Sequence, residues 1–169
     1  VLAVVVFVRR GHLPQLSFGD WRAAGALFAY AVFFSFGYVL LTTGTGALIL
    51  FGSVQLTMFA WAFYEGERFT AFAWGGLALA AGGLVWLVLP GLEAPDPLGA
   101  LFHTISGAAW GVFSLLIRGA KHPVESNAAN FLICVPLTLV VSALFWADLD
   151  ATAPGLALAV LSGGLASGC

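Results

Sequence analysis

The sequence predicts an all-α fold, a polytopic bundle of transmembrane helices with about six to seven spans. Three observations carry this. Of 169 residues, 61% are hydrophobic and 8% charged, against about 25% charged in soluble domains, and the mean hydropathy is +1.01. An exterior that apolar does not stay in water. The charges also fall at intervals and leave long uncharged runs between them. Finally, the six Lys and Arg residues all fall on alternate connections between those runs. A β-barrel is excluded, because its strands would be about 10 residues of alternating polarity.

The elements follow from the gaps. Residues 23–64, 69–92, 126–147 and 151–169 contain no ionisable Asp, Glu, Lys, Arg or His, and between Pro97 and Ile117 only His103 interrupts. A helix crossing a hydrocarbon core about 30 Å thick needs about 20 residues. Four gaps therefore take one span each: 70–90, 97–117, 127–147 and 154–169, the last cut short. Ser126 with Asn127 reads as the helix start of the third of these. The gap at 23–64 is too long. Its 42 residues would make a helix of about 63 Å, which tilt cannot absorb. The run must fold back, and its one polar break, Thr42 to Gly46, is the expected corner, with Gly44 and Gly46 supplying the unusual backbone angles. Spans at 22–42 and 46–64 result, preceded by an apolar tail at 1–8.

With a corner at 42–46, Arg9, Arg10, Arg22, Arg68, Arg118 and Lys121 lie on one side. The opposite connections, Thr42–Gly46, Gly91–Asp96 and Asp148–Ala153, carry no cation. The positive-inside rule makes the Lys/Arg-bearing loops cytoplasmic. Without the corner this split would break. Small residues recur at helix-contact spacing, at Gly25/Ala29, Gly76/Ala80, Ala78/Gly82, Gly107/Gly111 and Gly164/Gly168, as in close-packed membrane helices. Cys134 and Cys169 have no metal-ligand spacing and read as small buried hydrophobes. Both chain ends fall inside apolar runs, so the expectation is a fragment of a longer polytopic protein.

The stretch FAWAFYEGERFTAFAWGGLALAAGGLVWLVLPG closes one span on Gly66-Glu67-Arg68 and opens a glycine-punctuated one. With SFGYVLLTTGTGALILFGSVQLT before it, GAAWGVFSLLIRGA and LSGGLASG after it, it resembles the EamA family of the drug/metabolite transporter superfamily over nearly the whole chain. The resemblance implies ten helices in two inverted five-helix halves, with small metabolites exported or imported by alternating access. Residues 1–90 would be the end of the first repeat, from the tail of helix 2 to helix 5. Residues 91–169 would be the start of the second, helices 6 to 8, truncated. The charges agree with inversion: the tail ends at Arg9-Arg10 on the inner side and span 127–147 at Asp148-Leu149-Asp150 on the outer. Multi-pass placement in the inner cell membrane follows from the same likeness.

Few residues stand out chemically. His103 is the one ionisable group within an expected span, and such groups are functional candidates because their burial is costly. Helical spacing sets it on a face with Gly99, Ser106 and Trp110, close to Ser114. The contrasting reading is an interfacial histidine bonded to a neighbouring helix. Gln55, near the centre of its span, either contacts a solute or ties its helix to a neighbour. Tyr30 and Trp110 are deep enough to line a cavity. Trp61, Tyr64, Trp74 and Trp146 read as interface anchors. Glu67 and Arg68 form a gate or simply a cytoplasmic helix end, and Gly44 and Gly46 an outer turn. The cavity candidates are thus Tyr30, Gln55, His103 and Trp110. There is no carboxylate pair and no hydrolase, metalloprotease or phosphate-loop motif, so no catalytic residue, metal or cofactor is expected. The expected partners are the lipid bilayer and a small-molecule substrate, with no basic patch for nucleic acid and room for a homodimer. The competing reading is a non-transporting membrane protein, an assembly subunit or intramembrane enzyme; an ion channel is a third.

Overall fold

The computed structural model describes residues 19–89, 95–145 and 152–161. These form six α-helices and no strand: α1 Trp21–Tyr38, α2 Thr43–Tyr64, α3 Ala71–Val88, α4 Pro97–Leu116, α5 Pro123–Leu144 and α6 Ala153–Leu161. Among the described residues α2, α4 and α5 are long and apolar enough to cross a membrane. The tail expected at 1–8, the connection at 148–151, and Gly164/Gly168 and Cys169 lie outside the described residues. The helices turn large apolar side chains outward. Phe72 is 92% exposed and Leu79 and Trp86 80% each, a surface suited to lipid and not to water.

The fold-back within 23–64 is present, but its position and chemistry differ from expectation. The chain turns at Val39–Thr42, where the Leu40 N–H donates to the Gly37 carbonyl at 3.0 Å. Thr42 has extended backbone, φ −65° and ψ 149°, as the N-cap of α2, and its hydroxyl donates to Thr45 Oγ1 at 3.0 Å. Gly44 and Gly46 therefore lie in the first turn of α2, and neither has a positive φ. The polar break in the sequence marks where the second helix starts. The corner itself is three apolar residues, which composition cannot tell from the spans they join.

Other boundaries have legible causes. Helix α2 stops because Gly66, at φ +80°, lets the Gly66 N–H reach the Phe63 carbonyl and the Glu67 N–H the Ala62 carbonyl, both at 3.0 Å. This is a Schellman closure, and it requires a left-handed residue. Helix α3 starts at Thr70, whose hydroxyl accepts from the Ala73 N–H at 3.3 Å. Helix α4 starts at Asp96, whose Oδ1 accepts from the N–H groups of Leu98 at 3.0 Å and Gly99 at 2.9 Å, with Pro97 at the first helical position. Helix α5 begins at Pro123, four residues before the expected 127, so Ser126 and Asn127 are inside it. Its first turn carries Glu125, which is 3% exposed. The expectation that His103 is the one ionisable group within a span is corrected by this residue, which stands near the positive end of the helix dipole.

The chain divides into two compact units, residues 26–116 and residues 1–25 with 117–169. In the second, Ala23 and Ala24 at the start of α1 are buried, as are Ala128, Ala129, Ile133 and Cys134 of α5. Asn130 Oδ1 accepts from the Asp20 N–H at 2.8 Å, and Cys134 Sγ donates to the Ala24 carbonyl at 3.2 Å. Cys134 is thus the small buried residue expected.

In the unit 26–116 the principal seam is α2 against α4. A Cβ on Gly107 would meet the Leu50 carbonyl and come within 2.7 Å of Ser53 Cβ, and one on Gly111 would lie 2.9 Å from Thr57 Cβ. Ser53 and Thr57 donate their hydroxyls to Ile49 and Ser53 carbonyls of their own helix, at 2.7 and 2.8 Å. Their polar atoms are satisfied, and their carbon atoms pack on the glycines. The Gly107/Gly111 pair is therefore used as its spacing predicts. A Cβ added at Gly25, Gly76 or Gly82 would meet nothing within 4 Å among the described residues, so the equivalent pairs on α1 and α3 form no such contact there.

Candidate functional site

His103 is built into the unit 26–116 by glycines from two other helices. A Cβ on Gly37 of α1 would lie 2.6 Å from its Nδ1, and one on Gly46 of α2 would lie 2.8 Å from its Nε2. The imidazole thus occupies a slot left open because neither glycine carries a Cβ. Phe34 meets the ring edge-on at 5.9 Å, and the side chain is 2% exposed. Its Nδ1 lies 3.1 Å from the Gly99 carbonyl one turn back. A carbonyl only accepts, so Nδ1 carries a proton and donates. This leaves Nε2 as the lone-pair nitrogen of the neutral ring. Nε2 faces the first turn of α2 and has no hydrogen-bond partner among the described residues.

His103 lines a cavity of about 240 Å³. Tyr30, Phe34 and Tyr38 of α1 and Phe51 of α2 supply aromatic walls, and Thr42 and Thr43 supply hydroxyls. A neighbouring cavity of about 250 Å³ shares Leu41 and Thr42 with it and reaches Pro95 and Asp96. Ligand sites commonly span about 300–1,000 Å³, so the inner cavity suits a small solute. The first turn of α2 adds a fixed dipole. Thr42 makes no side-chain cap, and the first N–H groups of a helix have no acceptor within it. The cavity thus meets the positive end of a 22-residue helix.

The wall is held from behind. Tyr30 packs on Trp110 with ring centroids 4.8 Å apart, and Trp110 on Phe113 at 5.5 Å. The Ser106 hydroxyl donates to the Tyr30 carbonyl at 3.0 Å, joining α4 to α1. Of the four cavity residues expected from sequence, His103 and Tyr30 reach one cavity. Trp110 backs Tyr30 and does not line the cavity, and Gln55, half-buried on α2, is not among its lining residues. Glu67 and Arg68 are exposed just beyond the closure of α2. Sequence reasoning passed over Phe34 and Phe51, since aromatic residues are common throughout these helices. It also missed Gly37 as the counterpart of Gly46. The signal for that pair was within reach: both glycines flank one corner, where a bulky partner from a third helix needs space.

No family model matches the chain, and no solved structure matches it. The chain is similar to the uncharacterized protein PA1977 of Pseudomonas aeruginosa, with 45% identity over 168 residues. The match covers 99% of this chain and 58% of that protein, so the chain spans somewhat over half the length of its relative.

Proposed function

We propose that the chain is part of a secondary transporter of the drug/metabolite type, moving a small metabolite across the inner cell membrane by alternating access. In this reading it supplies six to seven of ten helices, with residues 1–90 from the first EamA-like repeat and 91–169 from the second. The Lys/Arg-bearing loops face the cytoplasm, and the corner between α1 and α2 faces outward. The observation that carries the reading is His103: a polar group buried in an apolar bundle and lining a small aromatic cavity. Intramembrane ionisable residues of this kind mark solute and ion pathways. The motifs around Gly66-Glu67-Arg68 and the EamA-like glycine pattern supply the transporter class. The Schellman closure gives Gly66 a helix-ending role, so Glu67 and Arg68 enter as a cytoplasmic helix end, not as solute contacts.

The test is solute flux by the full-length protein reconstituted into lipid vesicles. Saturable counterflow of small carboxylates, amino acids or amphiphilic amines is expected, reduced at least about tenfold by H103A. A folded protein that moves none of these solutes in either direction overturns the proposal.

A further inference from the structure

Building on the transporter reading, we infer that the cavity beside His103 takes a small monocarboxylate together with one proton, so that the histidine and the carboxylate enter as a neutral pair. The cavity joins two features of matching sign. The first turn of α2 lines it and presents the positive end of the helix dipole, and helix N-termini favour anionic groups. Nε2 of His103, on a side chain 98% out of solvent, faces that turn without a partner among the described residues. A cation would find aromatic walls here, but it would also meet the wrong end of the helix, with no carboxylate in the lining.

The proton follows from the fixed tautomer. Because Nδ1 donates to the Gly99 carbonyl, neutral His103 offers only a lone pair at Nε2, which repels a carboxylate. Taking a proton from solvent at Nε2 turns it into a donor. One N–H bond forms, no bond of the solute breaks, and imidazolium and carboxylate cancel in charge. An apolar site holds such a pair far better than a lone anion. Among the described residues no other charge intervenes on the packed elements. Helix α2 carries no Asp, Glu, Lys, Arg or His. Of titratable groups, helix α1 brings to the cavity only the phenols Tyr30 and Tyr38. Asp96, at the head of α4, lines the neighbouring cavity and is engaged by the N–H groups of Leu98 and Gly99.

The experiment is calorimetric binding to the full-length protein in detergent, with benzoate, benzamide and benzamidinium as probes of one shape and three charges. Benzoate is expected to bind best. Comparing buffers of different ionisation enthalpy should show uptake of about one proton per benzoate, with affinity falling as pH rises. H103Q, which keeps a hydrogen-bonding group but does not titrate, should flatten that slope. Equal or tighter binding of the cation, binding without proton uptake, a full slope in H103Q, or no benzoate binding at millimolar concentration each overturns the inference. If H103Q does not fold, the wild-type proton count and charge order still decide it. Carboxylate binding with proton uptake but no vesicle flux would sink the transporter reading alone. Flux of neutral or cationic solutes without such binding would sink this inference alone.

Discussion

Helices α3 and α4 look alike in sequence, as apolar stretches of similar length with small residues spaced four apart, yet they are used in opposite ways. On α4, Gly107 and Gly111 let α2 come so close that a single methyl has no room. On α3, a Cβ at Gly75, Gly76, Gly82 or Gly83 would meet nothing within 4 Å among the described residues, and the helix exposes Phe72, Leu79 and Trp86. Glycine spacing permits close approach without causing it. What decides is the opposing surface. Helix α2 offers Ser53 and Thr57, short residues whose hydroxyls are already bonded to their own backbone, so a flat apolar ridge fits the α4 groove.

The sharpest way to break the contrast is to put leucine on both helices. Gly107→Leu should destabilise the full-length protein by about 3 kcal/mol or more through overpacking. Gly76→Leu should stay within about 0.5 kcal/mol. Thermal unfolding in detergent, followed by circular dichroism, separates the two, and equal shifts would remove the distinction. Next in size, Gly46→Ala should cost about 1–3 kcal/mol, because its methyl drives into the imidazole. Pairing it with His103→Ser should recover at least about 0.5 kcal/mol in a double-mutant cycle. Gly66→Ala should cost about 1–2 kcal/mol, since alanine must take a left-handed conformation; hydrogen exchange at Glu65 to Glu67 should report local fraying. The smallest effect is Thr70→Ala, about 1 kcal/mol for losing one capping bond at the start of α3.

Much of the fold was legible because charge is costly in hydrocarbon, and the gaps between charges therefore track the helices. The start of α4 at Pro97 and the end of α2 at Tyr64 fall where the gaps and the Gly66 signal put them. The corner was displaced because the residues that turn, Val39 to Leu41, are apolar, while the threonines beyond them serve the next helix. The start of α5 was displaced because Glu125 looked like loop punctuation. Pro123 at the first helical position was the better signal. In the site, His103 and Tyr30 were legible as polar atoms at depth. The cavity was not, because it depends on which of many aromatic residues from three segments converge, and one helical period cannot encode that.

The slot around His103 has a consequence for how this protein can vary. Positions 37, 46 and 103 come from three helices, yet they share one volume, since both glycines owe their missing methyl to the same ring. They should therefore change together in descent. A relative with alanine at position 37 or 46 is expected to carry a smaller side chain at 103, and one that keeps histidine at 103 is expected to keep both glycines.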